Sequence, residues 1–175
     1  MTPARTLSAV LLSAGLALST LPAAQADLPN RATVTDKVGD APRVIDLKAS
    51  TYSITRERAT FSTTVRELTS RTFVAFEIWP LTSAWDRIAI RRVDGRTVAR
   101  VYFVDNDLED SDKPVATRTR CPGLQVSWRP RVDRVSAVVP ASCLRASQPA
   151  ARPFELHTFS RLGTRHDAMP KRTLD

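Results

Sequence analysis

Cysteine, glycine, histidine and aromatic residues are all scarce in this chain, and each shortage removes a class of chemistry. The only two cysteines, Cys121 and Cys143, are too far apart for a zinc knuckle and form no CxxC pair for redox work. Glycine occurs five times in 175 residues. No G-x-S-x-G elbow, P-loop or H-E-x-x-H helix is present, so the usual markers of hydrolases, nucleotide binders and zinc peptidases are missing. The two histidines, His157 and His166, follow no metal-ligand spacing. Aromatic residues make up 6% of the chain, which leaves few rings to spare as stacking platforms. Past Asp27 there is almost no helical period and no further apolar run long enough to span a bilayer.

What is present begins with an address. Residues 1–26 carry one positive charge, Arg5, then an apolar run from Leu7 to Leu21, then Pro22 and the small-x-small triplet Ala24-Gln25-Ala26. That order predicts a cleavable secretory signal, with a mature chain over residues 27–175. A membrane anchor is the competing reading, but the run is shorter than the ~20 residues a spanning helix needs. No cysteine stands at the cleavage site to take a lipid, so the mature protein is expected outside the cell with no membrane anchor. An exported chain with an even cysteine count pairs them, which predicts a Cys121–Cys143 disulfide. The formal charge is +8, of which Arg5 contributes one, and most of it is arginine, which a GC-rich coding bias would also produce.

Alternation dominates the body. Residues 43–54 place Ile45, Leu47, Ala49 and Thr51 on one parity; residues 58–66 alternate Ala59, Phe61, Thr63 and Val65 with polar neighbours. Thr72 to Trp79 is apolar on both parities, as in the middle of a sheet. In Ile88–Val104, Asp94-Gly95 divides two alternating runs and supplies the residues of a two-residue hairpin turn. Such a turn sets Arg91 opposite Val98 and Ala89 opposite Arg100. Ile88, Ile90, Ala99, Val101 and Phe103 then face the core, and Arg91, Arg96, Arg100 and Tyr102 face water. Further strands are expected at Leu124–Trp128, Val132–Val139 and Phe154–Phe159, punctuated by Pro140, Pro149 and Pro153. About eight strands at this spacing predict a single-domain antiparallel β-sandwich, an all-β fold.

The stretch Val34-Thr35-Asp36-Lys37-Val38-Gly39-Asp40-Ala41, followed by Val44-Ile45-Asp46-Leu47, resembles the D-x-x-G-D…D-[IL] opening of carbohydrate-binding family 9-like and DOMON-like sandwich modules. It is also similar to the opening of secreted actinobacterial proteins that share a late Val-Val-Pro-Ala-Ser-Cys-Leu segment, here Val138 to Leu144. The resemblance implies a sandwich whose relatives bind sugars, haem or calcium. Haem would want a Met/His pair that this chain does not offer.

Four surfaces could carry chemistry. The run Asp105-Asn106-Asp107-Leu108-Glu109-Asp110-Ser111-Asp112 holds five carboxylates, the oxygen ligands calcium takes, but Asp110 stands where an EF-hand needs glycine and Ala116 where it needs glutamate. A solvated loop explains the same run. Asp36, Asp40 and Asp46 could also serve calcium, or could cap turns. Arg91, Arg96, Arg100 and Tyr102 could engage an envelope polyanion or acidic polysaccharide, or could simply keep a sheet face soluble. Export makes nucleic acid an unfavoured partner. Trp79 and Trp85 could stack on a sugar, or could anchor a loop.

For catalysis, His166-Asp167 with Ser160 is the one triad-like set, and two carboxylates for glycoside hydrolysis would be a matter of separation in space. His157 alternates with Phe154, Leu156 and Thr158 and so faces outward. The expectation is therefore a secreted, non-enzymatic binding module of the envelope or exterior. A small exported hydrolase, or a protease inhibitor presenting Arg118-Thr119-Arg120-Cys121, is the alternative. The oligomeric state is open, and calcium is the only cofactor considered.

Overall fold

The alternating segments pair into two antiparallel sheets packed face to face. A computed structural model describes residues 30–80, 82–105, 115–147 and 153–174. The predicted signal and most of the acidic run (Asp107, Glu109, Asp110 and Asp112) lie outside the described residues.

The first sheet contains β1 (Asn30–Thr35), β2 (Leu47–Ile54), β3 (Arg58–Val65), β8 (Gln125–Arg129) and β9 (Arg134–Pro140), in the order β1-β2-β3-β9-β8. The second contains β4 (Phe73–Pro80), β5 (Ala84–Val93), β6 (Arg96–Asp105), β7 (Val115–Thr119), β10 (Phe154–Leu162), β11 (Arg165–Ala168) and β12 (Arg172–Leu174). Its order is β11-β10-β4-β5-β6-β7, with β12 also pairing β10. Two short 3-10 turns, Pro130–Val132 and Ala141–Cys143, flank β9. The fold is thus all-β and sandwich-like, with twelve described strands rather than about eight.

The inward parity of each sheet builds one core. Phe61 on β3 stacks on Phe76 of β4 across the layers, with ring centroids 5.2 Å apart, and Tyr52 meets Phe61 edge-on. Truncating a fully buried ring such as Phe61 to Ala typically costs about 3–5 kcal/mol, because the cavity collapses only in part. Tyr52 keeps its hydroxyl satisfied in this core by a 2.7 Å hydrogen bond with Thr158 Oγ1 on the opposite sheet. Asp86, fully buried on β5, accepts the N–H groups of Arg145, Ala146 and Ser147 and so pins the segment after the second 3-10 turn to the second sheet.

The hairpin register is as the alternation predicts. Arg91 pairs with Val98 and Ala89 with Arg100, and the turn residues Asp94 and Gly95 both have positive φ (48° and 74°). A primed two-residue turn requires that, and it accounts for the Asp-Gly pair. The parity in β2 differs from expectation. The β2–β3 register shifts between Leu47 and Ala49, so beyond Lys48 the buried positions are Ser50, Tyr52 and Ile54 instead of Ala49 and Thr51. An extra residue in one strand flips every later side chain to the other face.

Cys121 and Cys143 are bonded, with their Cα atoms 5.2 Å apart. Cys121 follows β7 of the second sheet and Cys143 follows β9 of the first, so the disulfide ties the layers where the chain crosses between them. Among the described residues no helix is long and apolar enough to cross a membrane.

Candidate functional site

The outer face of the second sheet is built by one parity of β10, β4, β5, β6 and β7. Residues opposite one another in a ladder point to the same side, so the registers give its rows directly. One row runs His157, Glu77, Arg87, Tyr102, Arg118. The next begins Phe159, Ala75, Ala89, Arg100, and the one beyond it Arg161, Phe73, Arg91, Val98.

At the centre of this face lies a carboxylate that an outward position would not normally bury. Glu77 is 3% exposed. Its Oε1 accepts from Arg87 Nε at 2.6 Å and Trp85 Nε1 at 3.3 Å, and its Oε2 accepts from Trp79 Nε1 at 3.1 Å. His157 Nδ1 stands 3.4 Å from Oε2. Burial alone would push the Glu77 carboxyl up, but His157, Arg87 and Trp79 outweigh it, so the group is held below the usual glutamate range and stays ionised. Trp79 and Trp85 lie ring on ring, 4.0 Å between centroids and 7° from parallel, and Lys171 Nζ sits 5.1 Å from the Trp79 ring. One face of each ring is turned to the other, Lys171 stands over Trp79, and Trp85 is buried.

Beside this cluster the sheet carries a trough of about 260 Å³. The small side chain of Ala89 lies within it. Arg87, Arg91, Arg100 and Arg161 stand around it with Phe73 and Tyr102, and Val98 and Ala116 complete the wall. Arg87 lies 5.6 Å from the Phe159 ring and Arg161 5.2 Å from the Phe73 ring, so aromatic faces hold two of the guanidinium stems in place. Only Arg87 has a carboxylate partner; among the described residues none lies within ion-pair distance of Arg91, Arg100 or Arg161. Crowded guanidinium groups with aromatic walls suit a multiply charged anion, because arginine presents a planar fork of donors to phosphate or carboxylate oxygens.

Three of the four residues expected on the wet hairpin face, Arg91, Arg100 and Tyr102, are brought together here. Arg96 sits at the tip of the hairpin, opposite Val93, and does not line the trough. Arg87, Arg161 and Phe73 were not singled out from the sequence. Arg161 and Phe73 are more than eighty positions apart along the chain and meet only through the β4–β10 register. The available signal was the outward parity of β5 and β10, where Arg87 and Arg91 flank Ala89 and where His157, Phe159 and Arg161 follow one another at every second position.

Ser160 and Asp167 form a cross-strand pair on one face, with Ser160 Oγ bonded to the Ile45 carbonyl, while His166 pairs with Arg161 on the opposite face. Arg118 and Thr119 end β7, which is paired to β6, and Cys121 beyond them is in the disulfide.

Acidic groups converge elsewhere. Asp36, Asp40 and Asp167 each bring one oxygen within 4.8 Å of the others, and such a set could ligate a hard cation such as calcium. Asp167 is pushed up from its ordinary value by burial and by the neighbouring Asp36 and Asp40, against the N–H groups of Leu47 and Ala168. Asp46 is buried with a structural task, accepting from Gly39 N and Arg66 Nη1. Asp105, at the end of β6, is the one member of the acidic run among the described residues.

No family model matches the chain, and no curated protein or solved structure matches it.

Proposed function

We propose that the protein is an exported, non-enzymatic module that binds an anionic polymer of the cell envelope through the arginine-walled trough. The observation that carries this reading is the convergence of Arg87, Arg91, Arg100 and Arg161 around Ala89, three of them with no carboxylate partner among the described residues. Like charges held this close on a rigid sheet repel, and an anion seated among them relieves that repulsion while releasing counterions. Export is supported by the leader-like residues 1–26 and by the disulfide, a bond that persists in oxidising compartments. The non-enzymatic part rests on the missing catalytic motifs and on the opposed faces of Ser160 and His166.

Co-sedimentation of the mature chain with isolated envelopes across a salt series tests the reading. Retention is expected at low salt and should vanish by about 0.5 M, where the screening length is only a few Å. The triple variant R91A/R100A/R161A should not be retained at any salt. Retention of that variant at the wild-type level, or no retention of the wild type, would reject the trough.

A further inference from the structure

We infer that the uncovered half of β6 is a docking slot for an extended acidic peptide, which adds to the second sheet as a short antiparallel strand alongside Arg96–Arg100. Backbone hydrogen bonds hold such a peptide, which makes the slot independent of polymer binding in the trough. Strand β6 pairs with β5 along its whole length, Arg96 to Asp105, but β7 covers only Val101 to Asp105. Past Thr119 the chain leaves the sheet for the disulfide at Cys121. Residues Arg96–Arg100 are thus left, among the described residues, with one paired side and one free side. The turn decides which groups line the free side. Its two-residue loop closes on the hydrogen-bonded pair Val93–Arg96, so Arg96, Val98 and Arg100 turn their N–H and C=O groups to β5. Thr97 and Ala99 turn theirs to the free side, and no backbone hydrogen bond from another described segment reaches them. Two donors and two acceptors along an edge of ~17 Å are what strand addition uses.

Side chains flank this edge in an order that a partner must match. Arg96, Val98 and Arg100 stand on the outer side, and Thr97 and Ala99 on the core side. Neither Arg96 nor Arg100 has a carboxylate within ion-pair distance among the described residues. At the Ala99 end the edge opens into a depression of about 530 Å³, with Val101, Thr119, Pro122 and Leu124 in its walls. The Thr119 hydroxyl oxygen is buried without a hydrogen-bond partner. An added strand therefore carries acidic residues opposite Arg96 and Arg100, four positions apart, and an apolar residue opposite Ala99, where the depression takes it. A second copy of this edge does not fit. In the register that engages Thr97 and Ala99 of both copies, Arg96 of each copy meets Arg100 of the other, and like charges directly opposite destabilise a ladder.

The test is an NMR titration of the mature protein with capped heptapeptides at about 0.15 M salt, which damps non-specific charge attraction. The matching peptide is Ser-Glu-Val-Ala-Thr-Glu-Ser, which in antiparallel pairing sets its glutamates opposite Arg100 and Arg96 and its valine opposite Ala99. Ser-Val-Glu-Glu-Ala-Thr-Ser keeps the composition and charge but breaks the spacing. The matching peptide N-methylated at valine and threonine keeps every side chain and loses the two N–H groups aimed at Ala99 and Thr97. The matching peptide is expected to bind roughly tenfold more tightly than the N-methylated one, from two lost hydrogen bonds, and more tightly than the respaced one. It should also slow hydrogen exchange at the Thr97 and Ala99 amides. R96E should weaken it about fivefold, and lysine in place of its second glutamate should restore the affinity for R96E. Equal affinity for the three peptides would mean that charge alone is read, and would overturn the slot. Unchanged exchange at Thr97 and Ala99, or no binding of the matching peptide, would overturn it too. None of these outcomes bears on the trough, whose test is the salt-dependent retention on envelopes.

Discussion

At the scale of single residues, the outer face is organised by Glu77. A carboxylate buried on the outer side of a sheet is costly unless every lone pair is used, and here two indole N–H groups, a guanidinium and an imidazole use them. In turn it fixes Arg87, and through Arg87 one wall of the trough. E77Q removes the charge and strands a half-buried guanidinium, so unfolding free energy at neutral pH should fall by about 2–4 kcal/mol. The pH dependence has a defined sign. Because the folded-state value is lowered, the contribution of Glu77 is complete above its ordinary value of about 4.3 and is lost as pH drops through that value toward the lower folded one. Denaturant melts of wild type and E77Q should therefore differ by a constant amount from pH 7 to about 5 and converge below it. A gap that persisted into strong acid would mean that the packing of the two tryptophans, not the charge, holds the cluster. Asp167 carries the opposite sign: its raised value means that its folded-state cost is relieved as acid protonates it.

At the scale of elements, the sandwich was readable wherever two periods agreed. The β5–β6 hairpin showed both strict alternation and an Asp-Gly turn, so the sequence sufficed for its register residue by residue. The buried parity of β2 was not readable, since the bulge at Lys48 leaves no mark in the pattern that a strand without it would lack. Strands β1, β7, β11 and β12 went unseen for a different reason. All four lie at a sheet edge or beside one strand only, and β7 and β11 bury no side chain fully, so there was no apolar alternation to detect in those two. The same logic divides the trough. Arg91, Arg100 and Tyr102 share one hairpin and were legible, whereas Arg87 needed Glu77 as its partner and Arg161 needed the long-range pairing of β10 with β4. The crossing between sheets depends on the disulfide, which closes a loop of 22 residues. C121S/C143S should lower unfolding free energy by about 3 kcal/mol in the chain-entropy picture, measured by denaturant melts of the non-reduced proteins. Since Cys121 follows the end of β7 by two residues, that variant should loosen the Arg118–Arg120 end first. Hydrogen exchange rising in β7 ahead of β5 and β6 is the expected pattern, and uniform exchange across the sheet would contradict it.

At the scale of the whole molecule, charge and stability are linked through the ligand. The chain carries a formal +8, and the trough gathers four arginines on one rigid face, Arg87 of them paired with Glu77. An anion that binds the folded face and not the unfolded chain must stabilise the fold by mass action, about 2.7 kcal/mol when present at a hundred times its dissociation constant. For a domain of this size that is a rise in melting temperature of roughly 5–10 °C. Non-specific attraction to a cationic protein also raises the melting point, so magnitude alone does not decide. R91A/R100A/R161A and a surface triple such as R31A/R58A/R134A remove the same net charge, but only the first removes the trough. With long-chain polyphosphate at low salt, the surface triple should keep nearly all of the rise and the trough triple should lose nearly all of it. Both responses should collapse as salt approaches about 0.5 M, because the contacts in either case are screened there. Equal shifts in the two triples would mean that the polymer reads only net charge, and the sheet face would then be no more a binding site than any other basic surface of the protein.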